Sequence, residues 1–372
     1  MLSVLHVAKF YPPVPGGMER VVQSLCTIAE GRLASRVLAF HTRPSTVEEI
    51  VDGVPVTRVG TIGAAGSVPI APSFPLHLRR AQADVIILHE PNPWALLSYA
   101  IAPPRAPLGI WFHSEVVRPA LQYRLFYAPV ARPAYRRAKG FAVSSPALAE
   151  HPDALRGRRE RVTVIPFGID ADAWRPSDDT IRRAAAIRRA HGSPLVLFAG
   201  RLVPYKGLDV LIRAAAPLPV TLAVVGDGPL RAEWERLAAR EGGRVVFTGE
   251  IGDDDLRAYF HACEMFVLPS VTRAEAFGYV QLEAMAAGKP VVSTNVTSGV
   301  PWVNRHGETG LVVAPGDAAA LRAAIETLLD DPARAAQLAA AGLCRVRRDF
   351  SIEAMANGFV DFCERVARDG GR

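Results

Sequence analysis

Two glutamates eight residues apart, Glu275 and Glu283, stand in the run RAEAFGYVQLEAMAAGKPVV. An apolar strand candidate, MFVLPS (265–270), precedes them, Gly278 lies between them, and a helix-like segment carries the second. At the carboxyl end of a strand in a doubly wound sheet, the following loop and helix aim free N–H groups at an anion. Glu275 is expected in the loop and Glu283 about one and a half turns into the helix. Such a unit offers one carboxylate to a hydroxylated group, amides to phosphate, and a second carboxylate to another hydroxylated group. That pattern suits a nucleotide-sugar.

The segment FAGRLVPYKGLDVLIRA places Arg201 and Lys206 just beyond another strand, with Gly207 opening a helix. Two cations at a strand's carboxyl end suit a diphosphate, since a guanidinium binds two oxygens at once. Near the N-terminus, YPPVPGGMERVVQSL sets Gly16 and Gly17 between a strand and a helix. Glycines there admit either close backbone approach to a ligand or a simple tight turn. His113 ends the strand PLGIWFH, a position compatible with a structural or a functional role, and His89 ends DVIILH in the same manner. His6, inside the first strand, reads as core. The run VGDGP (225–229) suits close approach by a nucleoside or a turn with Asp227 as a helix cap. The triplet Asp253–Asp254–Asp255 heads a helix, where capping and the helix dipole account for it, so no metal site is expected there.

The elements that must position these residues alternate along the chain. Apolar runs at 2–8, 36–40, 84–89, 107–113, 140–145 and 161–166 form one series. Runs at 194–200, 220–226, 244–249, 265–270, 290–295 and 309–315 form a second. Strands this apolar are buried on both faces, as parallel strands covered by helices must be. The fold class is α/β, with two Rossmann-like domains.

With 372 residues, 49% hydrophobic and 22% charged, the chain has the composition of an ordinary globular protein large enough for two cores. Residues 1–170 carry 19 Lys/Arg against 12 Asp/Glu, whereas 171–372 carry 24 against 25. The basic first half points to an anionic partner. The segment 118–139, RPALQYRLFYAPVARPAYRRAK, reads either as an amphipathic surface for an anionic membrane or as a solvated basic face, with Pro129 and Pro133 interrupting any long helix. No recognised nucleic-acid module accompanies the charge, so nucleic acid is not an expected partner. The four cysteines lack paired spacing and read as buried or free thiols, and the opening residues lack a signal-peptide pattern, so a cytoplasmic location is expected.

Together GGMER, GRLVPYKGLDVLIRA, VGDGPL, LPSVTRAEAFGYVQLEAMAAGKPVV and HGETGLVVAPGD resemble, in order and over most of the chain, the retaining nucleotide-sugar glycosyltransferases of family 4. SGVPWVN and HEPNP look like the bacterial members that assemble surface polysaccharide and lipopolysaccharide, many of which take mannose from GDP-mannose, while a UDP-sugar donor with a different acceptor is the alternative within the same fold and mechanism. The resemblance implies the GT-B fold, with parallel sheets facing across a cleft. It implies an acceptor-binding domain over 1–168, a nucleotide-sugar domain over 169–352, and a terminal helix, 353–372, returning to the first. It also implies that Gly16 and Gly17 approach the donor phosphates and that Arg201 and Lys206 neutralise the leaving diphosphate. By the same resemblance Glu275 binds sugar hydroxyls, the amides of Phe277, Gly278, Tyr279 and Val280 lie near sugar and phosphate, and Glu283 binds the ribose. His113 would face the sugar, and Gly249 and Ile251 would border the base. No metal or other cofactor is implied. The acceptor would be a glycan or a lipid-linked sugar at the inner face of the cytoplasmic membrane. One departure stands out: Ser114 follows His113 where the family often has aspartate. A nicotinamide-dependent oxidoreductase is the competing class, disfavoured by the lack of GxGxxG after the first strand. A third is a non-catalytic nucleotide-sugar binder. Replacing Glu275 by alanine is expected to abolish transfer with the fold intact.

Overall fold

The computed structural model describes residues 1–14, 16–114, 125, 127–150, 155 and 157–370. The chain divides into two compact units, one formed by Met1–Phe167 with Ile352–Arg372 and the other by Gly168–Ser351.

The first unit is built on an eight-stranded sheet. Its strands are β1 (Leu2–Val7), β2 (Leu33–Phe40), β3 (Val47–Val51), β4 (Val54–Val59), β7 (Val85–Glu90), β8 (Leu108–Phe112), β9 (Gly140–Val143) and β10 (Val162–Val164). A separate two-stranded hairpin pairs β5 (Gly63–Ala65) with β6 (Val68–Ile70). The sheet order is β10-β9-β8-β7-β1-β2-β4-β3. Neighbours are parallel except β3 and β4, an antiparallel hairpin turned by Asp52 and Gly53, both at positive φ. β7 and β8 are buried along their whole length, as expected of strands covered on both faces. Strand order reverses between β1 and β7, so the sheet's switch point lies there.

The helix Ile352–Gly370 belongs to this unit and packs along β7, β8 and β9. It buries Phe359, Phe362, Cys363 and Val366. Phe362 rests on Gly109 and Gly140, where a Cβ would come within 3.0 and 2.8 Å of its ring.

The helix Ala128–Arg137 is ten residues long, with Pro129 in its first turn and Pro133 in its interior. The missing N–H removes one bond of the helical ladder, and burial of Ala131, Ala134 and Tyr135 against the core offsets that loss. Residues 118–124 and 126 of the basic segment lie outside the described residues.

The second unit carries a six-stranded, wholly parallel sheet in the order β13-β12-β11-β14-β15-β16. These strands are β11 (Leu195–Ala199), β12 (Thr221–Val225), β13 (Arg244–Gly249), β14 (Met265–Leu268), β15 (Val291–Thr294) and β16 (Gly310–Val313). β11, β12, β14 and β15 are fully buried. Here the order reverses between β11 and β14, and the loops leaving those two strands hold Arg201, Lys206 and Glu275.

Among the described residues no helix is long and apolar enough to cross a membrane. Cys26, Cys263 and Cys363 are buried free thiols, and Cys344 is an exposed one.

Candidate active site

In the second unit the loops after β11 and β14 clasp each other. Val271 donates its N–H to the Tyr205 carbonyl at 2.9 Å. Gly207 adopts a left-handed conformation, φ 65°, and a Cβ there would stand 2.2 Å from the Pro269 carbonyl oxygen. Only glycine meets both conditions. The clasp brings Lys206 Nζ to 2.6 Å from Glu275 Oε2, with each side chain about one-tenth exposed. Ser270 Oγ donates to the same carboxylate oxygen at 3.3 Å. Burial lowers the Lys206 pKa, but the Glu275 carboxylate, Tyr205 and Glu283 more than reverse it, so the ammonium is held above its ordinary value. Arg201 is exposed, and no carboxylate pairs with it among the described residues. The pair is thus a preorganised, partly desolvated dipole, with Arg201 an exposed cation in the same loop as its lysine.

The helix after β14 begins at Val280, which puts Glu283 one turn into it, less than the one and a half turns expected. Glu283 is buried, at 8% exposure. Phe277 is also buried, its ring edge-on to Trp302 and Phe350, so this residue offers the site backbone and not side chain. Gly278 lies against Leu268 and Gln281. The Gln281 amide donates to the carbonyls of Phe277 and Gly278 and so fixes the loop. Tyr279 and Val280 are half-buried.

The loops after β11, β12 and β13 are sewn together by backbone. Gly200 N–H donates to Val225 carbonyl, Leu202 N–H to Asp227 carbonyl at 2.8 Å, and Gly226 N–H to Gly249 carbonyl. Gly226 sits at φ 122°, and its Cβ would lie 2.2 Å from the Gly200 carbonyl oxygen. The VGDGP glycines therefore serve loop-on-loop contact. Asp227 caps no helix; it accepts the Gly228 N–H and pairs with Arg231 at 2.9 Å. Gly249 is buried and Ile251 half-buried beside these loops. Asp253, Asp254 and Asp255 occupy the first turn of the helix Asp253–Ala262. Asp255 pairs with Arg183 at 2.7 Å and Asp254 with Arg257 at 3.3 Å.

In the first unit, the strand ends at the β1/β7 switch point carry buried polar groups. His6 of β1, His89 of β7 and His113 after β8 form a row, with His6 Nδ1 to His89 Nε2 at 3.0 Å and His89 Nδ1 to His113 Nε2 at 2.8 Å. Burial drives the pKa of His6 and of His113 down to about 3, and burial with two imidazole neighbours puts His89 well below its ordinary value. Glu90 is buried, with Oε2 accepting from Tyr127 at 2.5 Å and Tyr135 at 3.0 Å. Burial lifts its pKa to about 7, against the pull of the two phenols. The sequence reading singled out neither Glu90 nor His6 for this cluster; the signal available was the HEPNP run.

Gly16 and Gly17 do not stand as a bare amide cradle. The Glu19 carboxylate folds back against Gly16, where a Cβ would meet it at 2.0 Å. Glu19 is buried, and that burial raises its pKa while its own N–H and Lys9 lower it. An anion approaching these amides must displace that carboxylate.

Residues 15–173 match the profile "Glycosyltransferase Family 4" and residues 180–343 match "Glycosyl transferases group 1". The chain is 32% identical to the D-rhamnosyltransferase WbpZ of Pseudomonas aeruginosa over 94% of this chain and 92% of that one. It is 28% identical to the O-antigen chain mannosyltransferase C of Escherichia coli over 97% of each. The crystal structure of Anabaena HepE in complex with UDP and glucose superposes with a TM-score of 0.79 at 24% identity, covering 97% of this chain and 99% of that one. The structural likeness identifies the fold as GT-B, two Rossmann-like domains with parallel sheets. Matched nearly end to end by a named transferase and carrying both domain profiles in order, the chain is a nucleotide-sugar glycosyltransferase and belongs to glycosyltransferase family 4.

Proposed function

We propose that the protein is a retaining transferase that moves a hexose, mannose or a related sugar, from a GDP donor to a lipid-linked or polysaccharide acceptor. The observation that carries this reading is the buried Lys206–Glu275 pair beside exposed Arg201 at the β11/β14 switch point. Breaking the anomeric bond builds negative charge on the diphosphate and positive charge on the ring. Arg201, Lys206 and the amides of Phe277 to Val280 stabilise the first. Glu275, its charge balanced by Lys206, accepts from sugar hydroxyls close to the second. Glu283 takes the ribose hydroxyls, Gly249 and Ile251 border the base, and Gly16 and Gly17 approach the phosphates once Glu19 withdraws. His113 faces the sugar. Attack comes from the face of departure, with the leaving phosphate accepting the acceptor's proton. Arginine and lysine supply the positive charge, so no metal is assigned a part.

The acceptor side is assigned to the inner face of the cytoplasmic membrane. In the first unit Arg105, Arg136, Arg137, Lys139 and Arg161 line a cavity of about 660 Å³ against one carboxylate, Asp369. That excess of cations suits anionic headgroups. Sedimentation with phosphatidylglycerol vesicles tests it, and equal binding to phosphatidylcholine vesicles rejects it.

Thermal-shift titration with GDP, UDP, ADP, their sugar conjugates and NAD tests the donor, because a ligand of the native state raises the melting temperature by mass action. A shift with GDP or GDP-mannose alone supports the reading. A UDP-selective shift overturns the donor, and no shift with any sugar nucleotide overturns the proposal.

A further inference from the structure

The Lys206–Glu275 pair rests on a further layer of polar groups, all of them in the second unit. β14 pairs with β15 as far as Leu268 opposite Ser293. Pro269 follows and has no N–H to carry the ladder further. One step beyond, a side chain takes over: Thr294 Oγ1, at the end of β15, donates to the Ser270 carbonyl. On the other side, the adjoining Val271 donates its N–H to the Tyr205 carbonyl in the loop after β11. Ser270 is therefore anchored towards both strands that flank β14. It has no exposed surface, and Thr294 has 2%.

A hydroxyl sealed this deeply is normally paired inside the protein. Among the described residues Ser270 Oγ has one acceptor, Glu275 Oε2, at 3.3 Å. The contact is long for a hydroxyl donor, but its acceptor is charged. Lys206 Nζ addresses the same oxygen at 2.6 Å. An ionised carboxylate carries about four lone-pair sites on its two oxygens. Both donors use Oε2, and no donor among the described residues uses Oε1. The two donors come from different loops, so together they fix the plane of the carboxylate, which a single donor would leave free to turn. A half-turn only exchanges identical oxygens.

We propose that Ser270 and Thr294 are positioning residues for recognition of the transferred sugar. Thr294 fixes Ser270, and Ser270 with Lys206 holds the Glu275 carboxylate in one plane, leaving Oε1 as the acceptor for a sugar hydroxyl. This rests on the reading that Glu275 binds that sugar. Lys206 balances the charge, but its ammonium is a compact point charge with rotatable donors and sets no plane by itself. Ser270 adds the orientation. The nucleoside diphosphate, held by other groups under the same reading, does not depend on it.

The test is isothermal titration of the full-length protein with GDP-mannose and with GDP, or with UDP-glucose and UDP if the parent takes only uridine nucleotides. The readout is the ratio of the two dissociation constants, because a general loss of folded protein weakens both ligands alike. Thr294→Val keeps the shape of the side chain and removes its hydroxyl, whereas Thr294→Ser keeps the hydroxyl. Ser270→Ala and Thr294→Val are each expected to weaken the sugar nucleotide about fivefold, the size of one ordinary hydrogen bond, and the free nucleotide by less than about twofold. The double variant should be no worse than either single one, since both act on the same carboxylate. Thr294→Ser should match the parent. An unchanged ratio in folded Ser270→Ala overturns the proposal, and if that variant does not fold, an unchanged ratio in Thr294→Val does so. Glu275→Gln separates this from the reading beneath it. An unchanged ratio in Glu275→Gln removes Glu275 from the sugar and the proposal with it, whereas a raised ratio there beside a parent-like Ser270→Ala sinks only the positioning role.

Discussion

Replacing Glu275 by glutamine perturbs stability and chemistry together, and the structure sets the size of each. Lys206 and Glu275 meet at 2.6 Å with both side chains about one-tenth exposed. At an effective dielectric constant of about 20, two unit charges that close attract by about 6 kcal/mol. Removing both from water costs several kcal/mol per ion, so the intact pair contributes little net stability. Removing one partner is different, because the survivor keeps its desolvation cost and loses its attraction, typically about 3–5 kcal/mol. Glutamine preserves the shape and the bond from Ser270, which puts Glu275→Gln at the low end, about 3 kcal/mol. For a unit of this size that corresponds to a melting transition about 6–12 °C lower. Lys206→Met should cost a similar amount, and the double variant Lys206→Met/Glu275→Gln should return to within about 1 kcal/mol of the parent, since no charge is stranded. None of the three should transfer sugar. Urea unfolding followed by tryptophan fluorescence suits the measurement, since Trp174, Trp234 and Trp302 all lie in this unit. A Glu275→Gln protein within about 1 kcal/mol of the parent would show that the pair behaves as an exposed one, and a double variant no better than the singles would refute the stranded-charge argument.

Arg201→Ala should behave oppositely, because an exposed residue away from the core changes stability by about 0.5 kcal/mol or less, while loss of a transition-state contact lowers kcat by about 10²–10³; a stability loss matching that of Lys206→Met would contradict this. Gly226→Ala should destabilise the second unit by about 3 kcal/mol, combining strain at φ 122° with the clash on Gly200, and an unchanged urea midpoint would show that the loops can part. The first unit should be acid-labile. Its three row histidines have folded pKa values below the ordinary 6.5, so the stability they contribute is present above that value and lost as pH falls towards about 3. Glu90 opposes them, since its folded value near 7 exceeds its ordinary 4.5, and its contribution is lost as pH rises from 4.5 through 7. Glu90→Gln should therefore steepen the acid loss between about pH 5 and 6.5 and stabilise the protein above pH 7; identical pH–stability curves for parent and variant would refute the Glu90 assignment.

Most buried parallel strands were readable because covering both faces of a sheet demands unbroken apolar runs, and each such run is a strand in the structure. But β4, VPVTRV, is parallel to β2 and was missed because proline, threonine and arginine break its apolar run. β3 escaped notice because it is an edge, largely exposed, and reads VEEIV; the Asp52–Gly53 turn beside it was the available hairpin signal. β5 and β6 are three residues each, too short for any period. Sequence spacing places Lys206 and Glu275 after separate strands, and only the adjacency of β11 and β14 makes them a pair. The histidine row is harder still, since its members come from β1, β7 and the end of β8, and their alignment is a product of strand register. Glu19 and Glu90 were invisible for a related reason, because burial is what changes them and a lone glutamate does not announce burial.

The helix Ile352–Gly370, resting through Phe362 on Gly109 and Gly140, bears on how the chain is made. A ribosome makes residues 1–167 before the second unit, yet the surface of β7, β8 and β9 that Phe359, Phe362 and Val366 cover waits until residues 352–370 are made. At ordinary translation speeds that interval is on the order of 10–40 s. The second unit, contiguous from Gly168 to Ser351, closes entirely within it. The unit begun before the second is thus completed after it, and any product truncated before residue 352 leaves an apolar sheet face for chaperones or proteases to find.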